Sequence, residues 1–244
     1  MAKRVAILQS NYIPWKGYFD LIAQVDAFVL YDDVQYTRQD WRNRNRIKTA
    51  QGPLWLTIPV DVKFSDRQKI KDTKVSNQTW RRQHWKSIAQ SYSRAPFFST
   101  YRQCLEEAYL GSDAAYLSEI NAGWLRTLCG LLGIGTQLSW SMDYALTSED
   151  RTERLIELCQ RLQADEYVSG PAAKAYLDEA AFNAAGIAVR WMDYAGYPEY
   201  RQLYPPFDHF VSVLDLLLSE GPKAPQFMKW CPSSLSEGSA DAVA

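Results

Sequence analysis

Histidine and cysteine are both scarce in this chain of 244 residues, which has two histidines, His84 and His209, and four cysteines, Cys104, Cys129, Cys159 and Cys231. Two isolated imidazoles argue against a histidine-built metal centre. The cysteines are widely spaced and form no C-x-x-C pair, so they read as reduced thiols and not as a zinc site or a disulfide frame. Cys159 falls among Leu155, Leu158 and Leu162 on one helical face and reads as a core residue rather than a nucleophile. Long apolar runs are also missing. No stretch is long enough to cross a bilayer, so no membrane insertion is expected. Met1-Ala2-Lys3-Arg4 leads straight into a strand-like run instead of an apolar leader, and the expected location is the cytoplasm.

What is present is a globular composition, with 47% apolar and 23% charged residues. That suffices for one sizeable core, so residues 1–221 are expected to form a single domain. Residues 222–244 are expected to be a C-terminal tail, and the small polar residues Pro232 to Ala244 should be disordered. Aromatics reach 14%, with nine Trp and fifteen Tyr, enough to build stacking surfaces as well as a core. The net charge of −1 conceals an asymmetry. Between Arg38 and Lys86 stand 13 basic and 4 acidic residues, and the rest of the chain is correspondingly acidic. Such a positive segment suits phosphates, or it is simply a solvated rim.

The organising stretch is Val5-Ala6-Ile7-Leu8 followed by Gln9-Ser10-Asn11-Tyr12-Ile13-Pro14-Trp15-Lys16-Gly17-Tyr18. A buried strand that breaks into a polar loop and then a helical pattern is how an open α/β sheet begins its ligand crevice. A second strand, Ala27 to Tyr31, ends at the carboxylate pair Asp32-Asp33, which would hold a metal, orient a hydroxyl or amine, or anchor the next loop. In Trp41-Arg42-Asn43-Arg44-Asn45-Arg46, period-2 alternation places Arg42, Arg44 and Arg46 on one face and the asparagines on the other. A row of guanidinium forks suits a diphosphate; the competing reading pairs these arginines with Asp32, Asp33 or Asp40.

Leu54 to Val60 reads as a buried strand. A helix is expected from Asn77 or Thr79 to about Tyr92, with Trp80, His84 and Ile88 on one face. An imidazole is the natural general base at neutral pH, so His84 is the best acid–base candidate; packing as a hydrogen-bonded core histidine is the alternative. Helices over Phe97 to Tyr109 and Tyr116 to Leu132, a strand near Leu138 and a capped helix after Thr147 follow. Glu166-Tyr167-Val168-Ser169-Gly170-Pro171 reads as a strand turning into a helix over Ala173 to Leu177, whose free N–H groups favour an anion. A strand over Gly186 to Trp191, an aromatic loop over Tyr194 to Tyr200 and an apolar helix over Val211 to Leu218 complete the chain. Asp215 on that last helix must find a partner if buried. The fold class is α/β, a Rossmann-like, mainly parallel sheet flanked by helices.

Five ordered blocks, ILQSNYIPWKGYFDLI, YDDVQYTRQDWRNRNRIK, WLTIPV, YVSGPAAKAYLD and SVLDLLLSEG, resemble the WbqC-like family of bacterial proteins over residues 4 to 221. Its common pattern has Gln-Pro-Asn where this chain has Gln9-Ser10-Asn11. Members occur in surface-polysaccharide and O-antigen loci, sometimes where the glycan carries a glycylated amino sugar. The resemblance therefore implies N-acyl or aminoacyl transfer onto an amino sugar, with a nucleotide-linked sugar as substrate. Such a step needs a base, oxyanion donors and a phosphate clamp. His84, Asp32 or Asp33 is the candidate base. Gln9, Asn11 and the turn at Ser169-Gly170 are candidate donors, and Arg42, Arg44 and Arg82 the clamp. Tyr12, Trp15, Tyr18, Gln35, Arg38, Asn43 and Tyr176 complete the expected substrate-binding set. No obligatory cofactor or metal is expected; the donor would be a thioester, phosphopantetheine-linked or presented by an acyl or peptidyl carrier protein. Two other classes remain open. A nucleotidyltransferase would use the same strand-loop-helix layout, although Trp15 and Tyr18 stand where such enzymes carry paired histidines. An RNA-binding module would stack bases on Trp41 and Trp55 beside the arginines, against which the slightly acidic total charge counts.

Overall fold

The computed structural model describes residues 2–62 and 67–230. Alternation of side chains along the first strands makes the sheet a partition between two apolar layers. In β1 (Arg4–Leu8) and β2 (Ala27–Leu30), Ala6, Phe28 and Leu30 face one cluster, while Val5, Ile7, Ala27 and Val29 face the other. Strands covered on both faces carry apolar residues almost continuously, as these do. The five-stranded sheet has the order β5-β2-β1-β6-β7, with β5 at Gln137–Trp140, β6 at Glu166–Ser169 and β7 at Ala188–Trp191. Every neighbouring pair is parallel. The chain runs outward from β1 through β2 to β5, then returns to the other side of β1 as β6 and β7. This reversal puts the topological switch point at the carboxyl ends of β1 and β6, where open α/β folds take their ligands.

Helix α1 (Lys16–Ala23) follows the β1 loop, and α2 (Thr79–Tyr92), α3 (Phe98–Leu110) and α4 (Leu117–Leu132) pack on the same layer. Helix α4 stops at Gly133, whose φ of 72° is a left-handed conformation that glycine adopts without a Cβ clash. On the opposite layer lie α5 (Arg151–Arg161), capped by Asp150 through the backbone N–H groups of Thr152 and Glu153, and the short α6 (Glu179–Ala184). Helix α7 (Val213–Glu220) returns to the first layer. Its buried Asp215 accepts hydrogen bonds from Tyr92 (2.8 Å) and Tyr200 (2.7 Å), the partners its burial requires.

Three sequence expectations change. Leu54 to Val60 is not a buried strand. β4 (Gly52–Thr57) pairs antiparallel with β3 (Arg44–Thr49) outside the main sheet, and Leu54 and Trp55 are 41% and 42% exposed. The hairpin packs its apolar residues Ile47 and Leu56 on the core, and on the other face Lys48 is buried against Gln202 and Pro206 while Trp55 stays open beside Arg44. The helix expected over Ala173 to Leu177 is a single 3-10 turn, Pro171–Ala175, too short to sum a dipole. The boundary expected at residue 221 falls inside a packed segment. A 3-10 run over Gly221–Phe227 buries Ala224 and Pro225, and the carboxylate of Asp20 accepts the N–H groups of Lys229 (3.0 Å) and Trp230 (2.8 Å). Pro232 to Ala244 lies outside the described residues. Among the described residues no helix is long and apolar enough to cross a membrane, and no cluster of His, Cys, Asp or Glu is arranged to hold a metal.

Candidate functional site

The loop after β1 is held in a conformation it would not adopt alone. Ile13, a β-branched residue, has a φ of 35°, a conformation that costs about 1–3 kcal/mol and persists only where its surroundings impose it. They do. Asn45 of β3 donates to the carbonyls of Tyr12 (3.1 Å) and Ile13 (3.0 Å), Tyr12 N–H donates to Trp41 O, and Val213 N–H at the start of α7 donates to Pro14 O. Below the loop, the fully buried Asp32 accepts from Ser10 N–H (2.8 Å) and the Ser118 hydroxyl. Asn121 donates to both Ser10 Oγ and Arg42 O. Burial raises the Asp32 pKa, and the Ser118 and Ser10 hydrogen bonds oppose that rise. Ser10 supplies the N–H that ties the loop to Asp32, a donor that a proline at this position would lack.

Two depressions open beside this loop and share Trp41. The larger, about 380 Å³, is lined by Gln39, Trp41, Arg44, Arg46 and Trp55. Register explains it, since Arg46 stands opposite Trp55 and Arg44 opposite Thr57, so both guanidinium groups and the indole share one face of the hairpin. Arg44 lies over the Trp55 ring at 4.4 Å and Arg46 at 5.5 Å, and Trp41 approaches Trp55 with ring centroids 5.5 Å apart. Arg46 is partly engaged, donating to Phe210 O (3.1 Å) with Asp208 at 3.7 Å. The Arg44 side chain makes no hydrogen bond or close ion pair among the described residues and its buried Nε lacks a partner, although its charge reaches Asp40 and helps hold that carboxyl low. The smaller depression, about 220 Å³, is lined by Asn11, Pro14, Trp15, Trp41, Asn45 and Phe210. Trp15 is wedged there by Tyr194, Tyr197 and Phe210, with centroids 5.3, 5.7 and 5.6 Å away.

The sequence model of the WbqC-like protein family matches residues 9–227. The chain belongs to that family. It is 49% identical over 229 residues to a Mycobacterium tuberculosis protein named Uncharacterized protein Rv1507c, an alignment covering 94% of this chain and 99% of the relative. No solved structure matches it.

In this WbqC-like protein the residues singled out from sequence divide sharply. Asn11, Trp15 and Arg44 line the depressions. Arg42 is not free to clamp a ligand: it donates to Asn11 Oδ1 and to Gln9 Oε1 (3.0 Å) and lies 3.8 Å from Asp40, so it fixes Gln9 and Asn11 instead. Asn43 is buried and donates to Ile58 O, and Tyr18 is buried with its hydroxyl on Gln9 O. Gln35, Arg38 and Arg82 are exposed and line neither depression. Ser169 is buried at the end of β6; Gly170 sits beside Tyr194, which touches Trp15; Tyr176 is 62% exposed.

The three expected catalytic groups are spent on structure. Asp33 pairs with Arg154 and accepts from Ser141 Oγ (2.6 Å), tying the end of β2 to α5. Asp32 is enclosed under the loop. His84 is 6% exposed, ringed by Trp80, Tyr12 and Tyr109, and burial pushes its pKa down to about 4. Its ring is bonded to the Thr57 backbone, and Nδ1 is 2.9 Å from the Tyr12 hydroxyl, which is 2.7 Å from that of Tyr109. Tyr12 is therefore part of a buried knot joining loop, hairpin, α2 and α3. None of the three lines either depression.

Sequence reasoning missed Phe210 and Asn45. Phe210 lies on a long connection whose path over the hairpin no periodicity reveals. Asn45 is legible only as the inward partner of the alternating arginines.

Proposed function

We propose that this WbqC-like protein is a transferase that forms an amide on the amino group of a nucleotide-linked amino sugar, moving an acyl or aminoacyl group such as glycyl from a thioester or carrier-bound donor. The observation that carries this reading is Arg44. Its guanidinium is stacked on Trp55, makes no close ion pair among the described residues, and stands beside Arg46 at the mouth of the basin. A preorganised guanidinium pair suits a diphosphate, and the Trp41 and Trp55 faces suit a nucleobase. In the transfer step the amine lone pair attacks the thioester carbonyl carbon. The C–N bond forms, the C–S bond breaks, and the proton shed by nitrogen leaves with the departing sulfur as a thiol. His84 and Asp32 are enclosed, so catalysis rests on positioning and on donors at the rim. Surface-polysaccharide assembly is the proposed setting.

Thermal shift tests the reading with nucleotide-linked amino sugars, acyl thioesters, nucleoside triphosphates with Mg²⁺ and RNA. A ligand at 100 times its dissociation constant adds about 2.7 kcal/mol, roughly 5–10 °C for a domain of this size. Amino-sugar nucleotides should stabilise the wild type and lose that effect in Arg44→Ala. Stabilisation by triphosphate alone would favour nucleotidyl transfer, and a response to RNA alone would favour a binding module; either overturns the proposal.

A further inference from the structure

We infer that the smaller depression is a pyranose seat, which takes the neutral hexose ring of a nucleoside-diphosphate-linked sugar while the phosphates lie on Arg44 and Arg46. This rests on the nucleotide-sugar reading above and assigns the parts of that ligand to separate walls. The first ground is charge. The lining consists of three aromatic rings, a proline and two amides, with no ionisable group, whereas the adjoining wall carries two guanidinium groups. A phosphate gains nothing in the neutral seat. A sugar ring gains contact of its C–H face with the aromatics and hydrogen bonds from its hydroxyls.

The second ground is preorganisation. The Trp15 indole lies so close over the first turn of α1 that a Cβ on Gly17 would sit 2.3 Å from its ring, so the glycine is what allows this pose. Tyr194 and Tyr197 meet the indole edge-on. Asn45 is fully committed to the backbone carbonyls of Tyr12 and Ile13 and to the N–H of Arg46, and so shapes the seat without serving a ligand. Asn11 accepts from Arg42 through Oδ1, and its Nδ2 has no partner among the described residues, leaving a donor for a hydroxyl.

The third ground is continuity. Trp41 borders both depressions, and Arg46 donates to the carbonyl of Phe210, so the residue that faces the anion wall also fixes the outer side of the seat. A ligand crossing Trp41 passes from two cations to a neutral aromatic pocket of about 220 Å³, room for one ring.

Calorimetric titration with UDP, dTDP and GDP, each beside a hexose-linked form (UDP-glucosamine, dTDP-glucose, GDP-mannose), tests the assignment. For at least one nucleotide the hexose should tighten binding about tenfold over the free diphosphate. Phe210→Ala, at a residue 59% exposed whose loss leaves the core intact, should erase that gain and leave diphosphate affinity unchanged. Gly17→Ala, by displacing Trp15, should do the same. Arg44→Ala should weaken both forms. If diphosphates bind through Arg44 but the hexose adds nothing, if the gain survives Phe210→Ala, or if acetyl-CoA shows the Phe210-dependent gain instead, the seat assignment is overturned while the nucleotide reading stands. If no diphosphate binds in an Arg44-dependent way, the nucleotide-sugar reading falls and the seat with it.

Discussion

Replacing His84 by glutamine separates a catalytic histidine from a structural one by its effect on stability across pH. The ring is 6% exposed, and burial holds its pKa near 4 against an ordinary value of 6.5. Between those limits the unfolded chain takes up a proton that the folded chain refuses. The stabilising contribution is therefore complete above pH 6.5 and is lost as pH falls through 4. At about 1.36 kcal/mol per pKa unit the total is about 3 kcal/mol, of which about 2 is gone by pH 5. At pH 7, His84→Gln deprives the Tyr12 hydroxyl of its ring partner and disturbs its link to Tyr109, a cost of about 1–3 kcal/mol.

Glutamine does not titrate, so the gap between wild type and variant should close, or invert, from pH 7 to pH 4. Asp20, Asp32 and Asp215, whose pKa values burial raises, favour the fold on acidification. They are present in both proteins and cancel in the difference. Urea unfolding followed by tryptophan fluorescence at pH 7, 6, 5 and 4 gives the two curves. A constant gap across that range would refute the argument and show the imidazole to be protonated, and so hydrated, in the folded protein.

Two other outcomes follow from buried groups. Asp215→Ala leaves the hydroxyls of Tyr92 and Tyr200 without their acceptor beneath α7 and should cost about 2–4 kcal/mol in urea unfolding, with Asp215→Asn milder; a loss under 1 kcal/mol would contradict the burial argument. Burial pushes the thiols of Cys129 and Cys159 up to about 12, so neither should react with iodoacetamide at pH 8 in the native protein while the half-buried Cys104 does; mass spectrometry showing early modification of Cys159 would reopen its reading as a nucleophile.

The fold was largely legible because its signals are local. Val5-Ala6-Ile7-Leu8 and Ala27 to Tyr31 are apolar runs buried on both faces, Gly133 ends α4 as a left-handed cap, and the polar start after Thr147 leads into an amphipathic helix. Alternation also placed Arg44 and Arg46 on one face. Even the family could be read from five ordered blocks, since those local patterns recur in sequence. Which polar groups are free to act was decided elsewhere. Asp32, Asp33, His84 and Arg42 have the right chemistry for a site, but a side chain serves a ligand only if nothing nearer satisfies it. Their partners Ser118, Arg154, Tyr12 and Asn11 lie 31 to 121 residues away. Trp55 shows the converse: an aromatic in an apolar run reads as core, and only the placement of the β3–β4 hairpin outside the main sheet leaves it open beside Arg44. Sequence specified elements by short-range pattern; tertiary structure alone decided which groups were consumed by long-range hydrogen bonds and which were left facing solvent.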